Sequence, residues 1–363
     1  MSRVYLDHNA TTPLRAEARA AMIAAMDVVG NPSSVHAEGR AAKMLVERAR
    51  AQVAELVGCK PQQVIFTSSA TEAAALAVAQ KERHGGVYAA LPTEHDCLGV
   101  WSEAALDGAF DRDGHALSAV EYSGLVAISA ANSETGVLAA QGRVVGSGEG
   151  YSTLCDITQL AGKMAVNYEK VTPSYAILSA HKMGGPKGVG ALINFTANDP
   201  EPMLRGGGQE MNRRSGTENI IGIAGFGAAA EAAGRDVAAG KWDELAQLRN
   251  ILEKTIAATS KQTIFVGKDV ARLPNTSCML TPGWKGETQV MQMDLAGFAV
   301  SAGSACSSGK VKASKVLLAM GYDEAEAACA IRVSLGLETT ENDVLRFAEA
   351  WAAKFEKHQM RAA

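Results

Sequence analysis

The sequence has no long apolar run and no block of basic residues. A helix that spans a bilayer needs roughly 20 consecutive apolar residues, so we expect no membrane segment. The net charge is −4, from 35 basic and 39 acidic residues, and no cluster of Lys or Arg marks a nucleic-acid surface. Residues 1–7 are also too few and too polar to form a signal peptide.

Closely spaced cysteines are absent as well. None of the six forms a C-x-x-C pair, so we expect no metal site built from them: Cys59, Cys97, Cys155, Cys278, Cys306 and Cys329. Scattered thiols without an export signal are typical of a reducing compartment, which predicts a cytoplasmic protein. The glycine fingerprints of dinucleotide-binding and P-loop proteins are also missing.

What is present indicates an α/β fold. The length of 363 residues exceeds the roughly 250–300 that one hydrophobic core supports, which favours two domains. Helical spacing of apolar residues before Gly58 alternates with short apolar runs, which predicts a mainly parallel sheet covered by helices. The runs that we interpret as strands are residues 63–66, 125–128, 152–155, 175–178 and 190–193.

The pattern changes after a long amphipathic helix that contains Trp242 and Ile256. Short strands and loops follow, and a last helix is predicted near residues 341–358. We therefore place the domain boundary near residue 250. Residues 141–150 carry four glycines and are typical of a loop or a poor helix.

A first candidate site lies at residues 66–72, where a predicted strand runs into a predicted helix. Ser69 and Glu72 match a capping box, in which each side chain would bond a backbone N–H near the helix start. Free N–H groups and the helix dipole suit a phosphate there, although a purely structural cap has the same pattern.

A second candidate is Lys182, which follows a predicted strand and is flanked by Ser179, His181 and a glycine-rich turn. Burial or nearby cations would lower its pKa from about 10.4, as Schiff-base chemistry requires. An ordinary surface lysine in a turn is the alternative.

Three further residues lie at positions that suit ligand binding or catalysis. Asp156 ends a predicted strand, where α/β folds bind ligands, although a helix cap is the commoner role of a lone Asp. Cys306 lies among small polar residues close to Lys310 and Lys312, which suits an exposed thiolate, and an inert loop cysteine is the alternative. His95 also follows a strand end, where a surface or core histidine is the usual interpretation.

Taken in order, these segments resemble the cysteine desulfurases, the NifS/IscS-like branch of the class V aminotransferase group. The resemblance runs from Tyr-Leu-Asp-His-Asn-Ala-Thr-Thr-Pro at 5–13 to Ile-Arg-Val-Ser-Leu-Gly at 331–336. Further matching motifs lie at residues 30–34, 67–72, 93–95, 132–136 and 214–217, and around Lys182 and Cys306. The sequence around Cys306 is similar to the NifS/IscS branch and not to the SufS-like branch.

The resemblance implies the type I fold of pyridoxal-phosphate (PLP) enzymes. A large PLP-binding domain at 1–250 would hold the mainly parallel sheet. A smaller α+β domain at 251–363 would carry the Cys306 loop, with an N-terminal arm, residues 1–15, packed on it. A homodimer with L-cysteine as substrate is also implied, as is a sulfur acceptor such as an iron–sulfur scaffold protein.

The resemblance also assigns roles to residues. Lys182 would bind the cofactor covalently and later move the Cα proton. Asp156 would pair with the ring nitrogen and Gln159 with the ring hydroxyl, and His95 would stack on the ring and help in proton transfers. The phosphate would be held by Ala70, Thr71, Ser179 and His181, and by Thr217 of a second subunit. Arg332 and Asn9 would bind the substrate, and Cys306 would take its sulfur as a persulfide, which leaves L-alanine.

Two features limit the match. Asn132 and Ser133 belong to the implied cofactor site, but Ser133 stands where the family commonly has a second asparagine. The glycine-rich segment 141–150 replaces a more regular helix. A SufS-like selenocysteine lyase or another enzyme of the class V aminotransferase fold is the nearest alternative. A non-catalytic binding protein is disfavoured because Lys182, Asp156 and His95 are all present.

Overall fold

The computed structural model describes residues 3–106, 111–114, 123–139, 151–168, 172–303 and 313–362. The predictions for Cys306 and for residues 141–150 fall outside these ranges. Within them, no helix combines the length and the apolar character that crossing a membrane requires.

The larger sheet contains seven strands in the described part of the chain, in the order β2-β8-β7-β6-β5-β3-β4. Its strands are β2 Val64–Thr67, β3 Tyr88–Ala90, β4 Ala104–Ala105, β5 Gly124–Ser129, β6 Tyr151–Asp156, β7 Tyr175–Ser179 and β8 Gly190–Asn194. Neighbouring strands from β4 to β7 are parallel, and β8 is antiparallel to both β7 and β2. The five predicted strands agree with the structure to within one residue at each end.

α2 and α3 pack against this sheet. In order along the chain, the helices are α1 Ala16–Met26, α2 Ala37–Val57, α3 Ala70–Val78, α4 Asp96–Gly99, α5 Ile220–Ala238, α6 Lys241–Thr259, α7 Gly286–Leu295, α8 Lys315–Ala319, α9 Glu324–Ala327 and α10 Glu341–Ala362. α2 ends where predicted, because Gly58 adopts the left-handed conformation (φ 68°) that closes a helix. α5 packs against both α1 and α2.

A smaller antiparallel sheet is formed later in the chain, in the order β12-β13-β10-β9. Its strands are β9 Ile264–Phe265, β10 Thr276–Leu280, β12 Ser301–Ala302 and β13 Ala330–Ser334. α6 and α10 bury their apolar faces in one cluster with it, and Trp284, Trp351 and Phe355 form the aromatic centre of that cluster. The domain boundary near residue 250 stays a prediction.

The N-terminal segment joins this second unit. β1 Val4–Tyr5 pairs in parallel with β11 Phe298–Ala299, and Asp7 forms a bridge with Ser334. Residues 3–9 therefore lie against strands that are nearly 300 positions away in the sequence.

Strand direction positions the site. β2, β5, β6 and β7 all point the same way, so their carboxyl ends reach the same edge of the larger sheet. Ser69, Asp156 and Lys182 follow three of these ends. Ligands bind at this edge in open α/β sheets.

Candidate active site

A cavity of about 610 Å³ opens at this edge. Within the described ranges, every predicted site residue except Thr217 lines it, namely Asn9, Ala70, Thr71, His95, Asn132, Ser133, Asp156, Gln159, Ser179, His181, Lys182 and Arg332. Residues from both sheets and from the N-terminal segment thus meet around one space.

Lys182 projects into the cavity from the short helical turn Ala180–Lys182, directly after β7. Its Nζ donates to the backbone carbonyl oxygens of Asn9 (2.6 Å) and Ala10 (2.9 Å). Burial is the main cause that lowers its pKa from 10.5 to about 8, and the nearby Arg332 cation acts in the same direction. A lysine with this pKa is a usable nucleophile near neutral pH.

The start of α3 forms another wall. Ser69 caps the helix, since its Oγ accepts from the Glu72 N–H at 3.3 Å, as predicted. The reciprocal half of the predicted capping box is wrong: the Glu72 carboxylate accepts from the Ser68 N–H (2.8 Å) and from Arg214 (2.8 Å) instead. The first intrahelical bond runs from the Ala73 N–H to the Ser69 carbonyl, and Ser69 Oγ takes the Glu72 N–H, so the N–H groups of Ala70 and Thr71 are left for a ligand.

Asp156 ends β6, and its Oδ1 accepts from the Thr158 N–H at 2.8 Å. Its carboxylate lines the cavity together with Gln159. Gln159 Nε2 donates to the Asn9 carbonyl oxygen at 3.0 Å, so one face of this amide is already engaged by the N-terminal segment.

His95 also lines the cavity and is the N-cap of α4. Its Nδ1 accepts from the Cys97 N–H at 3.1 Å, which assigns the proton of the neutral ring to Nε2. The preceding residue, Glu94, is fully buried and accepts from the N–H (2.9 Å) and the hydroxyl of Ser129. Burial raises the pKa of Glu94 to about 7.

Ser179 and His181 flank the lysine turn. Ser179 is buried at the end of β7, and His181 Nδ1 lies 3.1 Å from Thr11 Oγ1. Burial, aided by Lys182 and Lys187, lowers the pKa of His181 to about 4, so the ring is neutral at physiological pH.

Asn132 and Ser133 form a turn in the wall of the cavity, and most of their hydrogen bonds involve backbone groups. Asn132 Oδ1 accepts from the N–H groups of Glu134 and Thr135, both at 2.9 Å, while its Nδ2 donates to the Thr93 carbonyl. The Ser133 carbonyl oxygen accepts from Asn9 Nδ2 at 3.1 Å. The side-chain amide of Asn132 is thus committed to holding the wall of the cavity.

Arg332 reaches the cavity from β13 in the smaller sheet. One terminal nitrogen donates to the Ser133 carbonyl at 3.0 Å, and the other pairs with Asp7 at 2.8 Å. Its buried Nε has no partner among the described residues. The guanidinium thus retains donor capacity for an anion such as a substrate carboxylate.

The last two predicted site residues are Thr217 and Cys306. Thr217 is exposed and does not line it, so its predicted role on a second subunit stays a prediction. Cys306 lies outside the described residues. The residues that border its segment, Gly303 and Ala313, both line the cavity.

The loop before Thr217 has an unusual backbone. Glu210, Met211 and Asn212 all have positive φ angles, of 49°, 58° and 66°. The buried Glu210 carboxylate holds this left-handed turn: each oxygen accepts from Arg50 at 2.8 Å, and Oε2 also accepts from the Phe66 N–H at 3.0 Å. Strained residues persist only where the surroundings fix them, as this pair does.

Three residues around the cavity were not predicted from the sequence. Asp7 holds Arg332, Glu94 lies buried beside His95, and Lys163 is buried behind Gln159. For Lys163 a signal was available, because it stands in Leu-Ala-Gly-Lys-Met-Ala-Val, a mainly apolar stretch.

Comparison with known proteins identifies the family. The model of the class-V aminotransferases matches residues 4–347, which is nearly the whole chain. The chain belongs to the class-V aminotransferase family. The family expected from the sequence is therefore confirmed.

Several members of this class-V family are similar over most of their length. A cysteine desulfurase of Frankia sp. (strain EuIK1) is 38% identical and covers 94% of this chain and 88% of its own. An IscS-like cysteine desulfurase of Mycobacterium tuberculosis is 33% identical, over 94% of this chain and 93% of its own. The crystal structure of a NifS-like protein from Rickettsia africae superposes with a TM-score of 0.85 at 31% identity, over 98% and 99% of the two chains. The predicted fold, the type I fold of this family, is confirmed.

Proposed function

We propose that this class-V family member is a PLP-dependent cysteine desulfurase that releases L-alanine and leaves sulfur as a persulfide on Cys306. The observation that carries the proposal is Lys182, a mostly buried lysine of lowered pKa in the wall of a 610 Å³ cavity. The similarity to cysteine desulfurases over more than nine-tenths of the chain supports the choice of substrate.

The residues around the cavity fit PLP. The start of α3, at Ala70 and Thr71, offers N–H groups and a positive dipole end to the phosphate. The Asp156 carboxylate suits a protonated ring nitrogen, and Lys182 suits the aldehyde carbon. His95 provides a flat ring in the cavity wall on which the cofactor ring would stack.

Bound PLP would supply an electron sink that weakens the bonds at the substrate Cα. Lys182 takes up and returns the Cα proton, since a pKa of about 8 leaves about one-tenth of the amine neutral at pH 7. Arg332 binds the substrate carboxylate with the donors that Asp7 and Ser133 do not occupy.

Sulfur transfer falls to Cys306. Cys97 also lines the cavity, but burial raises the pKa of its thiol to about 12, so its thiolate is scarce. The Cys306 thiolate attacks the substrate sulfur: the S–S bond forms as the substrate Cβ–S bond breaks, and Cβ gains a proton to complete L-alanine. An acceptor protein then takes the sulfur, for which an iron–sulfur scaffold is our candidate.

The proposal includes two further expectations from the sequence. The protein is expected to be a homodimer in which Thr217 contributes to the partner's site. It is also expected to work in the cytoplasm, where thiols and persulfides persist in reduced surroundings.

The test is to supply PLP and L-cysteine to the purified protein and to measure absorbance, L-alanine and persulfide. We expect a cofactor band that changes on addition of cysteine, and one L-alanine per sulfur released. Cys306→Ser should keep the spectral change and lose the persulfide, while Cys59→Ser, a half-buried cysteine away from the cavity, should behave like the parent. A persulfide on Cys97 or Cys329, or transfer of the amino group to a keto acid instead, would contradict the proposal.

A further inference from the structure

Lys163 is enclosed directly behind the cavity. It is 2% exposed and is not among the residues that line the cavity. Within the described ranges its Nζ contacts no carboxylate. Its two hydrogen-bond acceptors are neutral: Gln159 Oε1 at 2.7 Å and Asn9 Oδ1 at 3.0 Å. Burying a lysine is costly, so a site that retains one against two amide oxygens calls for a function.

The contacts with Lys163 and Asn9 together determine which way the Gln159 amide faces. Lys163 Nζ donates to Gln159 Oε1, and the Asn9 carbonyl oxygen, which can only accept, requires the nitrogen at the other end of the amide. Nε2 is then the other end, and one of its hydrogens goes to the Asn9 carbonyl at 3.0 Å. Among the described residues the second hydrogen has no acceptor, and Gln159 lines the cavity. The cavity therefore meets an N–H donor at this point and not a carbonyl oxygen.

We infer that Lys163 is a positioning residue that fixes the Gln159 amide with its N–H toward the cavity, so that the site favours an ionised oxygen on the bound ligand. The inference rests on the proposed function, in which that oxygen is the ring hydroxyl of PLP.

Lys163 reaches the reactive lysine by a second route. Asn9 Oδ1 accepts from Lys163, and the Asn9 backbone carbonyl accepts from Lys182. Asn275 Nδ2 also donates to Asn9 Oδ1, at 3.1 Å, so Asn9 stays anchored when Lys163 is replaced. Gln159 Oε1 has no second donor in the described part of the chain. Removal of Lys163 should consequently release Gln159 more than Asn9.

The electrostatic consequence has a definite sign. An N–H donor stabilises a deprotonated ring oxygen and thereby lowers the apparent pKa of the bound cofactor. A carbonyl oxygen in that place raises this pKa. Lys182 and Arg332 are the cations that act on Lys163, and Lys163 in turn acts on His8. Burial and these cations favour the neutral amine of Lys163, so its effect on the ligand passes through the hydrogen bond.

The experiment uses the PLP-loaded protein and titrates the absorbance band of the bound cofactor against pH, with the dissociation constant for PLP as a second readout. Lys163→Met keeps an unbranched side chain that is one atom shorter and removes the donor. We expect the apparent pKa of the cofactor to rise by about one unit, since hydrogen bonds to charged groups contribute this much. Gln159→Leu should give the same rise, and the double variant should give no more than Gln159→Leu alone.

Two other variants complete the test. Lys163→Gln retains an N–H donor and should shift the pKa less than Lys163→Met; it also carries the test if Lys163→Met does not fold. Lys187→Met removes an exposed lysine whose charge already acts on His181, and it should leave the cofactor titration unchanged.

Three results would overturn the inference: an unchanged pKa in the foldable Lys163 variants, additive shifts in the double variant, or an equal shift in Lys187→Met. Failure of the parent protein to bind PLP at all would count against the proposed function instead, because the Lys163 comparison is made between loaded proteins.

Discussion

Asp7 and Arg332 form an ion pair between the N-terminal segment and the smaller sheet, with Asp7 Oδ1 2.8 Å from a terminal guanidinium nitrogen. Asp7 Oδ2 accepts from Ser301 Oγ, also at 2.8 Å. One carboxylate thus holds the candidate substrate-binding arginine and the first residue of β12, the strand that precedes the Cys306 segment.

The first prediction concerns this arginine. Arg332→Lys should lower kcat/KM for L-cysteine by about 10- to 100-fold, because a charge-assisted bond to the substrate carboxylate contributes about 1.5–3 kcal/mol. Steady-state alanine formation measures the effect. Arg19→Lys, an exposed arginine of α1, is the matched control and should be neutral. An unchanged kcat/KM in Arg332→Lys would move the carboxylate site elsewhere.

A second prediction identifies the covalent attachment point. Lys182→Ala should keep the fold and lose about 10³-fold or more of the turnover, since both cofactor attachment and proton transfer depend on its amine. Borohydride reduction of the loaded parent followed by mass spectrometry should find the cofactor on Lys182. We expect no label on Lys163, which is buried, or on Lys187, which is exposed. Label on either lysine would contradict the assignment.

A third prediction follows from the lowered pKa of Lys182. Only the neutral amine attacks an aldehyde, so the rate of PLP binding to the cofactor-free protein should rise with pH and level off above about 8. The carboxylates of Asp7 and Asp156 oppose the lowering. Asp7→Asn should therefore move the midpoint to lower pH. Stopped-flow measurement of the PLP binding rate over a pH series gives this midpoint, and a midpoint near 10.5 would show an unperturbed lysine.

The fourth prediction tests the shared site. Light scattering should give a homodimer, and Thr217→Ala should bind PLP more weakly than the parent. In a mixed dimer of Lys182→Ala and Thr217→Ala chains, one of the two sites receives both intact residues. At a limiting PLP concentration, mixing the two variants under subunit exchange should consequently raise activity above the sum of the two variants alone. A fully active monomer, or no restoration in proven mixed dimers, would rule out the sharing of Thr217.

The fifth prediction concerns packing of the N-terminal segment. A Cβ at Gly336 would collide with the ring of His8, which is buried and has its pKa lowered to about 4 mainly by that burial. Gly336→Ala should cost about 1–3 kcal/mol of unfolding free energy, as overpacked sites do. Gly234→Ala in α5 has room and should be neutral or stabilising by up to ~1 kcal/mol. Adding His8→Ala to Gly336→Ala should recover part of the loss in a denaturant titration.

Local patterns in the sequence were sufficient for much of the fold. The strands around Leu125 and Ile177 and the end of α2 at Gly58 follow from apolar spacing and glycine chemistry, which act over a few residues. The site motifs at Lys182 and Asp156 were found for the same reason, since each follows a strand end.

The partners of these motifs were beyond such reasoning. Lys163 differs from an exposed lysine only because Asn9, 154 positions away, and Gln159 enclose it. The Glu72 carboxylate was predicted to close a capping box, but it accepts from Arg214, 142 positions away. Contacts of this separation depend on tertiary packing, which no single stretch of sequence contains.

The pairing of β1 with β11 has a consequence for biosynthesis. Asn9 and Ala10 supply the carbonyl oxygens that accept from Lys182. The segment that contains them is held by C-terminal residues, because β1 pairs with Phe298 and the Asn9 N–H donates to Ser334. A ribosome releases the first of these residues long before the last. The nascent chain can therefore build most of the larger sheet while the lysine pocket is still open on one side. The pocket acquires its final shape only after the C-terminal strands emerge, so cofactor capture should be a post-translational event.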